Sequence, residues 1–339
     1  MRKFHKIRRK ILKKIILYFL IIILICFFVP AIFTTKFKLQ EATNNNDIIS
    51  VQKYDYGNYN MIKLLHSETG EIEEVALDDY LVNVVSAEMP ASYEKEALKA
   101  QAIVARTYTI YQTINSGNKH EGANMCDSHL CCQAWISKED RFAKWEPENS
   151  KEYWQKIETA VNETKGKIVT YKNEPINAFF HASSGGKTEI PLNVWGGNGY
   201  PYLQVVETSG EEGYTQFASE IILTKEEFIN KIKEKHSDFQ IDFSKENEIS
   251  ILELTESGRV KTIKIGNLNL SGVEVRSILG LKSANFTFTI DESNIKFSII
   301  GYGHGVGMSQ TGADSLAKQG KTCEEIIKHY YVGVEIVDM

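Results

Sequence analysis

The hydrophobic and polar positions split the chain into one long apolar run and a mosaic of helix-like and strand-like periods. From Ile15 to Phe33 no residue is charged, and nineteen such residues nearly match the ~20 that cross a membrane as a helix. Further on, Met61–Ala76 reads as two short strands around the turn Glu68-Thr69-Gly70. A helix is expected from about Asp78 to Glu88, where Met89-Pro90 stops it because proline disfavours helix in the residue before it. Ala97, Ala100, Val104, Tyr108 and Tyr111 then recur at three- and four-residue steps, predicting an amphipathic helix that ends near 116–118. A further helix is expected in 147–165, followed by a strand pair turning at Asn173-Glu174-Pro175. Thr224 with Glu227, and Thr322 with Glu325, have the spacing of capping boxes at two later helix starts. Between the two boxes, residues 249–271 alternate like strands and lead into a short helix.

This order predicts an α+β chain: one membrane-anchor helix, then a mixed helix and antiparallel-sheet domain with a smaller inserted lobe. The expected divisions are a basic segment 1–14, an anchor 15–34, a polar linker 35–60 and a domain 61–339 whose lobe spans about 220–290. Eight basic residues precede the apolar run (Arg2, Lys3, Lys6, Arg8, Arg9, Lys10, Lys13, Lys14) with no acidic ones, which predicts a cytoplasmic N-terminus and an exported remainder. No small-residue cleavage site is evident near Ala31 or Thr34, so an uncleaved anchor is favoured over a signal peptide. Ten of the 39 basic residues lie in the first 40 positions, where no acidic residue occurs, leaving 29 against 44 acidic ones. A polyanionic partner such as nucleic acid is therefore not expected. Apolar content of 42% marks a globular domain.

Glu88 is the strongest candidate for chemistry. It sits at the expected C-terminal end of a helix among apolar residues, and both conditions disfavour a charged carboxylate and raise its pKa. A carboxyl still protonated near neutrality can serve as a general acid. A second cluster follows in KHEGANMCDSHLCCQAW, where His120, Cys126 and Cys132 are evenly spaced and Cys131 adjoins the last. Imidazole and thiolates at such spacing suit zinc, a disulfide from Cys126 is allowed in an exported domain, and free thiols are the third possibility. A Ser/Gly turn (Ser183, Ser184, Gly185, Gly186, Lys187) and the alternating glycines 301–307 bring backbone N–H groups where a ligand could approach. The latter lack the G-x-G-x-x-G spacing, since Val306 stands where glycine is required. Trp195, Tyr200 and Tyr202 are aromatic surfaces that could stack on sugars, although packing is their commoner use.

Three stretches, VVSAEMPASYEKEALKAQAIVARTYT, FFHASSGGKTEI and GYGHGVGMSQTGADSLAKQGKTCEEIIKHYY, closely resemble the stage II sporulation protein D family of endospore-forming bacteria. The resemblance implies a membrane-anchored lytic transglycosylase, with its domain outside the mother-cell membrane, that cuts peptidoglycan glycan strands during engulfment. It implies Glu88 as the single acid/base, by its place in AEMP. It also implies substrate contacts from Ser183, Ser184, Gly185, Gly186, Lys187, His304, Ser309 and Gln310, and Lys99 and Arg106 on the following helix as further groove candidates. Clostridial members are similar in a His-x5-Cys arrangement, which maps a zinc site onto His120, Cys126 and Cys132. Here Cys131 replaces the usual histidine, leaving the fourth ligand open between Cys131, His129, water and substrate. Implied partners are glycan strands, the amidase stage II sporulation protein P, which strips stem peptides, and the engulfment complex. The rival readings are a non-enzymatic amidase enhancer and a zinc-dependent amidase or peptidase.

Overall fold

The computed structural model describes residues 55–339 apart from 116, 118 and 198. The expected anchor 15–34 and most of the expected linker lie outside the described residues. Among the described residues no helix is long and apolar enough to cross a membrane. Nine helices are described after a short 3-10 turn at Tyr56–Tyr59: α1 Leu77–Glu88, α2 Lys95–Asn115, α3 Lys138–Lys144, α4 Pro147–Glu163, α5 Pro191–Trp195, α6 Lys225–Lys233, α7 Gly272–Leu279, α8 Gln310–Lys318 and α9 Cys323–Tyr330. The strands are β1 Met61–Leu65, β2 Ile72–Ala76, β3 Met125–Cys126, β4 Lys167–Tyr171, β5 Glu174–Pro175, β6 Phe180–His181, β7 Ala218–Thr224, β8 Ile249–Leu254, β9 Val260–Ile265, β10 Leu268–Ser271, β11 Phe286–Ile290, β12 Asn294–Ile300, β13 Met308–Ser309 and β14 Glu335–Asp338. They form small, mainly antiparallel sheets, ordered β2-β1-β3, β14-β4-β5, β11-β12-β7, β10-β9-β8 and the pair β13-β6. The fold class is α+β.

Helix α1 ends at Glu88, and Met89 turns to extended backbone (φ −121°, ψ 142°) ahead of Pro90, as the proline demands. Helix α2 departs from the amphipathic expectation: every residue from Ala97 to Ile110 except Lys99 is buried. Alanines at 97, 100, 102 and 105 let neighbours approach closely on several sides, and α1, α4, α8, α9 and β4 all pack on it. One hydrophobic cluster surrounds this helix, and a second is built from residues between Leu223 and Ile299, overlapping the expected lobe 220–290 and running past its end. Both capping boxes, at Thr224 and Thr322, are formed.

Burial on all sides explains why Arg106 does not reach a groove. Its side chain is wholly buried and donates to the carbonyls of Val161 and Thr164 at the end of α4 and of Lys167 at the start of β4, and it meets the Asp78 carboxylate at 3.4 Å. Carbonyls at a helix end are the ones left without intrahelical partners. Lys99 is likewise occupied, by Glu96 at 2.8 Å and Glu163 at 3.7 Å. Replacing Arg106 by leucine should lower unfolding free energy by about 3–5 kcal/mol, as loss of one member of a buried charged network does. Urea unfolding checks this. A rise in KM at unchanged stability would instead restore a groove role.

Candidate functional site

Glu88 lines a groove of about 370 Å³ whose other walls include Pro90, Arg141, Trp145, Tyr153 and Gln216. One carboxyl oxygen accepts the Ala134 N–H at 2.7 Å, and the other accepts Gln310 Nε2 at 3.2 Å. Three segments distant in sequence therefore converge on one carboxyl: the end of α1, the cysteine loop and the start of α8. Burial pushes the Glu88 pKa above 4.5, and the bonds from Ala134 and Gln310 oppose this without cancelling it. The carboxyl end of α1 adds its unfavourable dipole in the direction anticipated from sequence. No other carboxylate lines this groove among the described residues. A second cavity, beside His304, holds only about 10 Å³, room for about one water.

The cysteine loop is held from both ends. Strand β3 pairs in parallel with Leu64 and Leu65 of β1, which places Cys126. The carbonyl of Ser128 accepts the N–H groups of both Cys131 and Cys132. The ligand atoms of His120, Cys126, Cys131 and Cys132 all lie within 4.8 Å of one another, with His120 Nε2 3.2 Å from Cys132 Sγ and 3.7 Å from Cys131 Sγ. These cysteines are not joined by a disulfide. A tetrahedral ion with bond lengths of about 2.0–2.3 Å holds its ligand atoms roughly 3.3–3.8 Å apart, so these four side chains are close enough to converge on one. Burial lowers the His120 pKa and keeps the imidazole neutral, while burial pushes the Cys132 thiol up to about 12. A thiol so disfavoured as a thiolate gains most from a divalent cation. The donor set fits zinc, and Cys131 lies among the other three donors.

Gln133 follows directly. Its buried amide donates to Tyr80 Oη at 3.0 Å and to Thr109 Oγ1 at 2.9 Å, fixing the backbone one residue before the Ala134 N–H that holds Glu88.

The Ser/Gly turn is arranged differently from expectation. Glu211, fully buried, accepts the N–H groups of Ser184 and Gly186 at 3.0 Å. It also accepts hydroxyl bonds from Ser183 at 3.3 Å, Thr208 at 2.8 Å, Thr311 at 2.7 Å and Ser309. The amides expected to face a ligand are thus consumed by an internal carboxylate, and Ser183, Ser184 and Ser309 point into the protein. Gly185 (φ +69°) is required where the turn crosses Ile300, since a Cβ there would lie 2.7 Å from the Ile300 side chain. Arg259, beside β9, clasps the same turn from the other side through the carbonyls of Ser184 and Lys187. Lys187 is exposed and pairs with Glu207 at 3.6 Å. His304 accepts the Val306 N–H at 3.0 Å and packs on Trp195 and Phe179; burial holds its pKa well below 6.5, so it is neutral. Tyr202 is buried, whereas Trp195 is half exposed.

Of the expected contacts, Gln310 alone is brought onto Glu88. Glu211 carried no recognisable sequence signal. Arg141 and Trp145 did have one, an i,i+4 pair on a short helix capped by Ser137.

Burial drives the Glu211 pKa upward, but bonds from Ser309, Gly186, Thr311 and Thr208 outweigh it and leave the group below 4.5. A depressed folded-state pKa contributes stability that is present above the unfolded value and is lost as pH falls through the folded one. Glu211→Gln should cost at least about 2 kcal/mol at pH 7, since bonds to a charged group contribute about 1.5–3 kcal/mol each and do not add. It should also flatten the loss of stability below pH 4.5. Urea titrations between pH 3.5 and 7 measure both effects.

Residues 66–171 match the family described as stage II sporulation protein. The chain is 34% identical to stage II sporulation protein D of Bacillus subtilis (strain 168), over 81% of this chain and 78% of that protein. It is 32% identical to the protein of the same name from Bacillus amyloliquefaciens, over the same shares. An amidase enhancer of Bacillus subtilis is 30% identical over 76% of this chain, which spans 40% of that protein. A groove carboxyl met by the AEMP corner and the MSQTGA loop, together with this likeness along most of both chains, places the protein in the stage II sporulation protein D family.

Proposed function

We propose that the chain is a lytic transglycosylase acting on peptidoglycan glycan strands, with Glu88 as both acid and base. The observation that carries the reading is a groove with one carboxyl of raised pKa and, among the described residues, no second carboxylate on its walls. Hydrolytic glycosidases ordinarily use two carboxyl groups, one of which activates water or attacks the sugar. One suffices when the nucleophile belongs to the substrate. Protonated Glu88 donates its proton to the oxygen linking N-acetylmuramic acid to N-acetylglucosamine, and that C–O bond breaks. The muramyl acetamido group stabilises the oxocarbenium-like centre. The Glu88 carboxylate, held by Ala134 and Gln310, then removes the proton from the muramyl O6 hydroxyl, and O6 closes a 1,6-anhydro ring. The proton lost in the first step is regained in the second.

In this reading His120, Cys126, Cys131 and Cys132 hold zinc as a structural clamp. Four protein ligands fill a tetrahedral ion and leave no open position for substrate, which argues against a zinc amidase or peptidase. The clamp fixes the loop that delivers Gln133 and Ala134. The proposal extends to a single-pass anchor at 15–34, an extracytoplasmic domain and glycan stripped beforehand by an amidase. The likeness to an amidase enhancer supports a second reading, a glycan-binding activator that does not itself cut.

Glu88→Gln separates the two. As a transglycosylase the variant should lose at least about a thousandfold in kcat while its melting temperature is retained. Mass spectrometry should show anhydro-muramyl ends, one water lighter than reducing ends, from the wild type only. Anhydro products from Glu88→Gln would end the assignment, and a wild type that never makes them would favour the activator.

The acid form is depleted as pH rises through the Glu88 pKa, so activity should fall on the alkaline side. Gln310→Ala removes a bond that favours the carboxylate and should move that limb to higher pH. A limb that stays in place would detach Gln310 from the acid. Chelation, or Cys126→Ser, should release zinc and lower the melting temperature by several degrees, whereas Glu88→Gln should keep its metal. Metal analysis beside calorimetry distinguishes these outcomes.

A further inference from the structure

We propose that Arg141 is a specificity residue that binds the free lactyl carboxylate of muramic acid, so the groove itself distinguishes peptide-stripped glycan from peptide-bearing glycan. The inference rests on the glycan-cleaving reading above and deepens it.

Arg141 lies on α3 and lines the same groove as Glu88. Its guanidinium sits 4.9 Å from the Trp145 ring centre, one helical turn along, a contact that holds its plane. Among the described residues no carboxylate or carbonyl pairs with it, and its Nε is buried without a hydrogen-bond partner. Burial lowers its pKa with no compensating neighbour. Arg259, whose Nε is also unpartnered, differs in that both its terminal nitrogens are taken, by two carbonyls and Ser257. A partly buried cation whose Nε has no partner carries an unrecovered solvation cost, and a planar fork of donors matches a carboxylate bidentately. The groove has room for a ligand, and Glu88 is its one acidic group. Arg141 does not figure among the influences on the Glu88 pKa. The cation therefore addresses an anion elsewhere on the substrate and leaves the acid protonated.

Glycan chemistry offers one fixed anion. N-acetylglucosamine is neutral, whereas muramic acid carries a lactyl ether at O3 that ends in a carboxyl group. With a stem peptide attached that group is a neutral amide. Once the peptide has been removed by amide hydrolysis it is a carboxylate, carried on every second sugar. An arginine at this wall turns prior peptide removal into a condition for tight binding, and the reaction that must precede this one is that hydrolysis.

The test uses the full chain carrying Glu88→Gln, so that ligands are bound and not cut. Three tetrasaccharides are titrated by calorimetry: alternating stripped glycan, the same glycan with its lactyl carboxyls converted to methylamides, and chitotetraose. The stripped glycan should bind at least tenfold more tightly than the other two. Adding Arg141→Gln should abolish that preference and leave the two neutral ligands within twofold of their former affinity. Arg141→Lys, which keeps the charge without the fork, should restore part of it. Equal binding of stripped and amidated strands by the Glu88→Gln protein would overturn the role of Arg141 while leaving the glycan reading intact. So would an Arg141→Gln loss of the same size on all three ligands. Absence of binding to all three would sink both.

Discussion

The carboxylate of Glu211 is the contact on which the placement of Gln310 against Glu88 depends. Six donors from three stretches of chain converge on it, and two of those stretches, 183–186 and 309–311, flank the parallel pair β6-β13. That ladder is two residues long, too short to set its register by itself. Charge-assisted bonds supply what the ladder lacks. Ser309, bound to Glu211, also caps α8 through the Gly312 N–H, so the first residue of α8, Gln310, is aimed at Glu88. A structural anion thus sets the position of the amide that steadies the proposed catalytic acid.

A comparable arrangement supports the acid from its other side. His120, Cys126, Cys131 and Cys132 close the loop at one end, the Gln133 amide pins it between Tyr80 and Thr109, and the Ala134 N–H reaches Glu88. The two supports have opposite electrostatic characters, an anion bound by neutral donors and a thiolate set suited to a cation. Both end in neutral donors to the Glu88 carboxyl. Neutral donors steady the carboxylate without the large pKa depression that a nearby cation would impose, and the acid remains usable.

What could be read from sequence follows from the range of the forces involved. The end of α1 at Glu88 and the capping boxes are set by neighbours a few residues away and were legible, whereas the hairpin expected to turn at Asn173-Glu174-Pro175 turns at Lys172-Asn173, with Glu174 and Pro175 already paired in β5. The His/Cys cluster was legible except for its fourth member, since Cys131 and His129 are equally near in sequence and the fold alone separates them. Arg106 and the Ser/Gly turn were misjudged for one reason. Their polar groups satisfy internal carbonyls and an internal carboxylate 25 or more residues away, and local pattern does not reveal such partners. Arg141 became visible once the groove showed it to be near Glu88 and without a counter-charge.

The separation of the groove's two halves along the chain has a further consequence. Glu88 and Gln310 are 222 positions apart, and Glu211 recruits Ser309 and Thr311 from the same late segment. A polypeptide still emerging from the ribosome, or clipped ahead of its final thirty residues, has the carboxyl but neither the amide that steadies it nor the wall behind it. A chain lacking residues 309–311 therefore cannot assemble this arrangement around Glu88.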